Sequence, residues 1–279
     1  MSYIRSALLI GQDDFLDVHA STIPDAVVFD MSKSTGESFD PSTMKDRIRQ
    51  SSDGLGPCRH VRFSIGASDD FRIKLLSVFS HDIAAVWISG ISEAQQVRDA
   101  DVEIRRLEME HGIDPGTISL IPELISVRSI SLLDTILTAV DRVATIALNL
   151  DLVCADLVGT GSDSSDDLFV QRHILANVAL KVAAQNLLLI VTNLDSQLST
   201  QKMKMIASTG ATGMLTQDLN SVASLNDEFV LTSARIEQAQ TVIHQWSSNP
   251  VTAQENGVTL QAFKRATHIV DLANQVDAR

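Results

Sequence analysis

The chain has 279 residues, of which 44% are hydrophobic and 20% are charged, and its formal net charge is -13 at pH 7. This length can bury the core of one large domain or two small ones. The acidic balance argues against a nucleic-acid-binding protein, because such proteins need a basic face for the phosphates. No apolar run is long enough to cross a membrane, and the first residues lack the basic start and cleavage site of a signal peptide. We therefore expect a cytoplasmic protein with neither a nucleic acid nor a membrane as its partner.

Eight short runs of apolar and β-branched residues alternate with longer amphipathic stretches. The runs span residues 6–11, 26–31, 60–65, 84–89, 118–124, 145–150, 187–193 and 213–216. Such runs are typical of buried parallel strands, and the stretches between them have the pattern of helices. The alternation predicts an α/β fold of the (β/α)8 TIM-barrel type. An open doubly wound sheet is the alternative, but the first run is followed by GQDDF, where that fold usually has a glycine-rich phosphate turn.

Two further helices are predicted after the eighth strand, in TSARIEQAQTVIHQW and TLQAFKRATHIVDLANQ. A barrel does not need them, and their apolar spacing indicates a surface for a partner. We therefore divide the chain into a barrel over residues 1–220 and a C-terminal helical extension over residues 221–279. We expect the extension to pack on the barrel mouth or on a neighbouring subunit.

Polar residues that end the predicted strands are the candidates for function, because side chains at the C-terminal ends of barrel strands form the active site. They are Asp30, Arg62, Glu123, Asp151, Asn193 and Asp195. Glu123 and Asp151 belong to consecutive strands, so we expect their carboxylates to converge at the mouth. Two carboxylates with water and substrate oxygens suit the hard cation Mg2+. The planar fork of Arg62 suits a carboxylate or carbonyl oxygen of the substrate.

Each of these three residues also has a structural interpretation. Glu123 is either a metal ligand or a strand-end acid paired with an arginine. Asp151 is either a metal ligand or the cap of the helix that follows. Arg62 is either a substrate-binding residue or a partner in a structural ion pair. The residues by themselves leave these alternatives open.

Five stretches carry short motifs in a fixed order: RSALLIG, DAVVFDMSKS, HVRFSI, GIDPGTISLIPELISV and TIALNLDLVCADL. In them the chain resembles the citrate lyase beta-subunit family, which includes malyl-CoA lyase and the HpcH/HpaI aldolases. RSALLIG is similar to the family's R-S-x-L-F-x-P-G strand, DAVVFDMSKS to its A-D-x-x-x-x-D-L-E-D-S strand and HVRFSI to its V-R-x-N strand. GIDPGTISLIPELISV is similar to the stretch that leads to the family's I-E-[ST] strand. TIALNLDLVCADL is similar to the family's A-L-G-x-x-D-[LY] turn. The likeness covers nearly the whole chain.

The resemblance implies a (β/α)8 barrel that binds Mg2+ and cleaves or forms a carbon–carbon bond in a hydroxy acid or a 3-hydroxyacyl-CoA thioester. By position, Glu123 and Asp151 match the two metal ligands of the family, and Arg62 matches its substrate-binding arginine. Arg62 and Glu123 are therefore the expected catalytic residues. The implied partner is a small hydroxy or oxo acid or a coenzyme A thioester, and the expected assembly is a homo-oligomer, a trimer or a hexamer.

The chain also departs from the motifs of this family. Ser32 and Lys33 stand where the D-L-E-D motif has acids, and Gly90 stands where a strand-four L-P-K motif has its lysine. Met214 and Asp218 lie in the stretch that replaces a G-K-x-x-I-H-P turn after the eighth strand. A catalytically eroded homologue that acts as a subunit or a ligand-binding protein is therefore the alternative function.

Overall fold

Eight parallel strands close into a barrel in the computed structural model, which describes residues 3–11, 23–31, 41–50, 58–65, 70–157, 164–194 and 198–277. The strands are β1 (Ser6–Ile10), β2 (Ala26–Asp30), β3 (Cys58–Ser64), β4 (Ile83–Ser89), β5 (Ser119–Leu124), β6 (Thr145–Asn149), β7 (Leu188–Thr192) and β8 (Gly213–Thr216). Each strand pairs with the next one along the chain, and β8 pairs with β1. Every strand overlaps a predicted run, so the predicted (β/α)8 TIM barrel is confirmed.

Within the described ranges, helical segments follow each strand from β2 to β8. The helices are α1 (Pro41–Gln50), α2 (Asp70–Val78), α3 (Ala94–Glu110), α4 (Val127–Ser131), α5 (Leu133–Leu137), α6 (Leu150–Ala155), α7 (Ser164–Ala184), α8 (Thr200–Ser208), α9 (Val222–Glu228), α10 (Ser233–Ser248), α11 (Pro250–Glu255) and α12 (Leu260–Asp277). Because each of these helices comes after a strand, the first turns of α6 and α8 lie near the C-terminal ends of β6 and β7. First turns of this kind add side chains to the mouth of a barrel.

Alternate residues of the strands fill the barrel interior, because successive side chains of a strand point to opposite faces. The buried apolar cluster contains Ile4, Ala7, Leu9, Ala26, Val28, Ala85, Trp87, Ile121, Ala147, Ile190 and Leu215. On five of these strands, the residue two positions beyond the cluster member also points inward, and its side chain is polar. These residues are Asp30 on β2, Ser89 on β4, Glu123 on β5, Asn149 on β6 and Thr192 on β7. The interior therefore changes from apolar to polar at the C-terminal ends of the strands.

Gly213 allows β8 to close the barrel against β1. A Cβ atom at this position would lie 2.1 Å from the backbone oxygen of Ile4 and 2.8 Å from that of Arg5. Such distances are far shorter than a van der Waals contact, and both neighbours belong to the backbone. Glycine is therefore required here for the close approach of the two strands.

A buried ion-pair network attaches α3 to the start of β5. Arg142 Nη2 donates to Glu108 Oε2 at 2.8 Å, and the backbone N–H groups of Gly116 and Ile118 donate to the same carboxylate at 2.9 and 2.8 Å. Arg142 also contacts Asp101 on α3. Burial acts to raise the pKa of Glu108, but the hydrogen bonds from Arg142 and the two backbone groups outweigh it and hold the pKa below its usual value. The ionised carboxylate is thus built into the folded state.

The described residues divide into two compact units, Ile4–Glu228 with the barrel, and Tyr3 together with residues 229–277. Within the second unit, α10 packs against α12, and the rings of Trp246 and Phe263 stack with their centroids 5.5 Å apart. The hydroxyl of Tyr3 donates to the backbone carbonyl of Phe229. Among the described helices, none has the length and apolar character needed to span a membrane.

Candidate active site at the barrel mouth

Arg62 lies at the centre of a buried group of polar side chains at the C-terminal end of the barrel interior. Its Nε donates to Glu123 Oε2 at 2.8 Å, and its Nη2 lies 2.8 Å from the same oxygen. Its Nη1 donates to Asp30 Oδ1 at 3.2 Å, and Nη2 donates to Ser89 Oγ at 3.1 Å. The strand register brings these residues together, since Asp30 pairs with Arg62 and Ser89 pairs with Glu123. We call Asp30, Arg62, Ser89 and Glu123 the arginine cluster.

The arginine cluster is almost completely shielded from solvent. Glu123 is 0% exposed, and the side chains of Arg62 and Asp30 are each 6% exposed. Burial acts to lower the pKa of Arg62, but the charges and hydrogen bonds of Glu123 and Asp30 outweigh it, so the pKa is raised above its usual value. Arg62 is therefore a permanent cation that holds two carboxylates in place.

Two buried oxygens have no hydrogen-bond partner among the described residues and belong to strand ends at the mouth. They are Glu123 Oε1 and Thr192 Oγ1, and both residues are 0% exposed. Leaving a buried acceptor without a donor costs about 1–3 kcal/mol, more when the acceptor is charged. Because Arg62 engages only Oε2 of Glu123, the other oxygen is the atom at which a bound cation or proton donor would relieve this cost.

Asp151, Asn193 and Lys202 form a second group, which we call the lysine cluster. Lys202 Nζ donates to both carboxylate oxygens of Asp151 at 2.8 Å and to Asn193 Oδ1 at 3.0 Å. An ammonium group has three donors, and these three oxygens match them in number. Asn193 is buried, whereas the side chains of Lys202 and Asp151 are 16% and 33% exposed. The lysine cluster therefore extends from buried backbone toward solvent.

Asp151 and Lys202 lie in the first turns of two helices, and Asn193 follows the end of β7. The side chain of Asn149 accepts from the backbone N–H of Leu152 and begins α6, which puts Asp151 in a first turn. The hydroxyl of Ser199 accepts from the backbone N–H of Lys202 and begins α8. The helix dipole favours an anion in the first turn and disfavours a cation there. Lys202 thus acts against the dipole of its own helix, and its ion pair with Asp151 offsets this cost.

Five of the six predicted site residues lie in one of the two clusters, and the sixth, Asp195, lies outside the described residues. Arg62 and Glu123 contact one another directly, together with Asp30. Asp151 contacts Lys202 and not Arg62 within the described chain, so both expected metal ligands are paired with a protein cation. The pairing of Glu123 with an arginine, which the sequence left open, is present. The cap of α6 is Asn149, two positions before Asp151, for which a capping role was considered.

Some other positions named in the sequence analysis lie outside the described residues, and Gly90 is described. Ser32, Lys33 and Asp195 lie outside the described residues. Gly90, which replaces a motif lysine, has φ of 90°, and its N–H donates to the backbone carbonyl of Glu123 at 3.2 Å. Because a left-handed φ favours glycine, this residue connects β4 to β5 at the edge of the mouth without adding a side chain.

Met214 and Asp218 have structural surroundings. Met214 is fully buried in β8, next in sequence to the inward-facing Leu215, so it lies on the opposite face of the strand. Asp218 precedes a short 3-10 turn, and its carboxylate accepts from Ser221 Oγ at 2.6 Å and from the N–H of Asn220 at 3.0 Å. The hydrogen bond from Ser221 is the main cause that lowers the pKa of Asp218.

Lys202 is the main residue of the mouth that the sequence analysis missed. It lies in a predicted helix and not at the end of a strand, so the search for polar strand ends did not include it. A signal for it exists in the sequence, because the capping Ser199 places a lysine in a first turn, where the dipole disfavours it. Ser89 was also not among the predicted site residues, and its contact with Arg62 depends on the register of β3 and β4.

The two clusters together have an excess of negative charge. Their ionisable members are three carboxylates, those of Asp30, Glu123 and Asp151, and two cations, Arg62 and Lys202, which gives a formal charge of -1. Within the described residues, no three His, Cys, Asp or Glu side chains form a metal site by themselves. A metal ion at this mouth would therefore need oxygens from other groups, such as the amide of Asn193, the substrate or water.

The protein is a TIM barrel, since its eight parallel strands close into a barrel. Its candidate site lies at the C-terminal mouth, where strand ends and the helix turns that follow them supply a buried arginine and carboxylates. The chain belongs to the HpcH/HpaI aldolase/citrate lyase family, whose model matches residues 10–218. This range includes all residues of the arginine and lysine clusters. No curated protein matches the chain in sequence.

Several solved structures are similar to the chain at low sequence identity. The citrate lyase beta subunit of M. tuberculosis, complexed with oxaloacetate and magnesium, has a TM-score of 0.62 and 17% identity, covering 82% of this chain and 98% of that one. Protein CitE of Mycobacterium tuberculosis with magnesium, acetoacetate and coenzyme A has a TM-score of 0.59 and 16% identity, covering 96% and 97%. The lead(II) complex of Haloferax volcanii malate synthase has a TM-score of 0.68 and 13% identity, covering 99% and 92%. At these identities the likeness shows the fold.

Proposed function

We propose that the protein is a Mg2+-dependent carbon–carbon lyase that cleaves or forms a bond in a hydroxy acid or a 3-hydroxyacyl-CoA thioester. The observation that carries the proposal is the state of Glu123, which is fully buried, held by Arg62 through Oε2, and without a partner at Oε1 among the described residues. Membership of the family supports the reaction class. The similar structures that contain magnesium with oxaloacetate, or with acetoacetate and coenzyme A, support the kind of ligand.

The oxygens available at the mouth fit Mg2+. Glu123 Oε1 is a buried oxygen that needs a positive partner, and the carboxylate of Asp151 and the amide of Asn193 are hard donors of the kind that Mg2+ prefers. Glu123 and Asp151 would hold the ion, which would supply Lewis-acid polarisation of a substrate oxygen. A dication would also make the formal charge of the site more positive than the -1 of the two clusters, which favours an anionic oxo acid.

Arg62 has two roles in this proposal. Because Nε and Nη2 both contact Oε2 of Glu123, the carboxylate is fixed with its other oxygen available to a ligand. The guanidinium also stabilises negative charge that develops on the oxygens of the oxoacid fragment during cleavage. Trp87, which is fully buried and pairs in register with Arg62, closes the interior beneath the site and excludes water from that side.

Isothermal titration with Mg2+, combined with a substrate screen, tests the proposal. We expect the wild-type protein to bind Mg2+ and Glu123→Gln to bind it about tenfold more weakly or not at all, because one charged ligand is lost. Glu110→Gln is the matched control, since it makes the same change in an exposed ion pair with Arg106 and should leave binding unchanged. The substrate screen contains malyl, citramalyl and citryl thioesters and the corresponding free acids. We expect the protein to cleave at least one of these compounds, and only when Mg2+ is present.

Two results would contradict the proposal. One is the absence of Mg2+ binding at millimolar concentration in the wild-type protein. The other is equal weakening of Mg2+ binding by Glu123→Gln and Glu110→Gln, because the metal would then lie elsewhere.

A catalytically eroded homologue that binds a ligand or acts as a subunit is the second candidate. The observation that favours it is the internal pairing of the charged groups, Arg62 with Asp30 and Glu123, and Lys202 with Asp151. A site in which protein cations already neutralise the carboxylates can persist as a structural or binding element. Mg2+ binding without turnover of any thioester or free acid in the screen would favour this second function over the lyase.

We also propose that the protein forms a homo-oligomer, a trimer or a hexamer, through its C-terminal unit. The support is that the described part of this unit has exposed apolar side chains on α11 and α12, those of Val251 and Leu260. Light scattering coupled to size exclusion tests this, and a monomeric mass at micromolar concentration would contradict it.

A further inference from the structure

We infer that Lys202 is an internal competitor of the metal ion: its ammonium group occupies the oxygens of Asp151 and Asn193, and Mg2+ gains them only when the lysine moves away. This inference rests on the proposed function, because it concerns the same metal site. It adds a residue that neither the family match nor the similar structures assign, and it predicts that the chain sets its own metal affinity through this side chain.

The geometry of the lysine cluster is that of a bound cation. Among the described residues, Lys202 Nζ donates to two oxygens of Asp151 at 2.8 Å and to one of Asn193 at 3.0 Å. These are hard oxygens that would also suit Mg2+, and an ammonium and a dication cannot occupy the same position between them. The positive charges also repel one another, so each cation weakens the binding of the other.

The position of Lys202 on its helix indicates that the pair is not a by-product of helix formation. In the first turn of α8 the dipole disfavours a cation, and Ser199 already caps the helix through its hydroxyl. The neighbouring Lys204 lies two positions farther along the same helix, where residues do not share a face, and it is exposed. Only the first of these two lysines contacts Asp151 in the described chain.

Of the two cations at the mouth, Lys202 is the one that can leave. Its side chain is 16% exposed and ends a flexible four-carbon stem, so it can turn toward solvent without disturbing the core. Arg62 is 6% exposed at its side chain and contacts Asp30, Ser89 and Glu123. Loading of the metal therefore displaces Lys202 and leaves the arginine cluster intact.

Binding of Mn2+, followed by the electron paramagnetic resonance signal of the free ion, tests the inference without any substrate. Lys202→Met keeps an unbranched side chain of nearly the same length and removes the charge, so we expect the dissociation constant for Mn2+ to fall about tenfold. Lys204→Met is the matched control, with the same change on the same helix and no contact with Asp151, and its affinity should equal that of the wild type. Lys202→Arg keeps the charge and should stay within about threefold of the wild type.

The outcomes separate this inference from the proposed function. If Lys202→Met binds Mn2+ no more tightly than the wild type while both bind it, the competition is refuted and the metal site stands. If neither protein binds Mn2+, both fail. If the wild type turns over substrate in EDTA and Lys202→Met does not, the lysine replaces the metal and the competition is likewise refuted. Should Lys202→Met lose its cooperative thermal transition, Lys202→Gln carries the same test, because its amide can still donate to Asp151.

Discussion

Replacement of Arg62 by methionine is the perturbation whose effect follows most directly from the structure. Arg62→Met removes the cation from the arginine cluster, and with it the ion pair to Glu123, whose side chain is 0% exposed. Removing one partner of a buried ion pair costs about 3–5 kcal/mol, because the remaining charge stays buried. We therefore expect the free energy of unfolding of the barrel to fall by about 3–5 kcal/mol.

An exposed pair with the same geometry provides the control. Arg106 and Glu110 on α3 also have an N–O distance of 2.8 Å, but their side chains are 48% and 45% exposed. Exposed helix pairs contribute about 0.5 kcal/mol or less, so Arg106→Met should change the free energy of unfolding by no more than that. The two variants differ in burial and not in bond length, and burial is therefore what the comparison measures.

Urea denaturation followed by tryptophan fluorescence is the assay. The chain has two tryptophans, Trp87 inside the barrel and Trp246 on α10 in the second unit. In a Trp246→Phe background the fluorescence reports the barrel alone, through an indole that donates to His60 Nδ1 at 2.9 Å. The shift of the midpoint at constant slope gives the change in stability. A cost for Arg62→Met below about 1 kcal/mol, or equal to that of Arg106→Met, would refute the reasoning.

Two further predictions concern the scaffold. Glu108→Gln should cost about 3 kcal/mol at neutral pH, because it removes the charge opposite Arg142 in a buried pair. The pKa of Glu108 is lowered on folding, so its contribution to the free energy of unfolding is present above the unfolded pKa near 4.5. This contribution is lost as the pH falls through the folded pKa. The free energies of unfolding of the wild type and the variant, measured by urea denaturation, should therefore converge in acid. Gly213→Ala should abolish cooperative unfolding, or lower the free energy of unfolding by about 3 kcal/mol, because the new Cβ meets the carbonyl of Ile4; wild-type stability would contradict this.

The barrel and part of the site were predictable because their signals are local. Buried parallel strands give continuous apolar runs, and a polar residue at the end of such a run lies at the mouth whatever the details of the packing. Asp30, Arg62, Glu123 and Asn193 follow this rule and lie at the mouth. Asp151 lies just beyond a strand end, in the first turn of α6.

The pairing between these residues was not predictable, because it depends on distances across the barrel. Lys202 and Asp151 are 51 positions apart, and only the closing of β6 and β7 side by side brings α6 and α8 into contact range. In the same way, the division of the acids between Arg62 and Lys202 follows from strand register, which a sequence run does not specify. The sequence indicated the carboxylates at the mouth, and the structure adds that Arg62 and Lys202 pair with them.

The most direct test of the central claim is a crystal structure of the protein grown with Mn2+ and oxaloacetate, in which anomalous scattering locates the metal. We expect one peak in contact with Glu123 Oε1 and the carboxylate of Asp151, with Lys202 Nζ turned away from Asp151 and Arg62 still bound to Glu123 Oε2. A structure at millimolar Mn2+ with no peak at the mouth, and with Lys202 still on both oxygens of Asp151, would contradict the account.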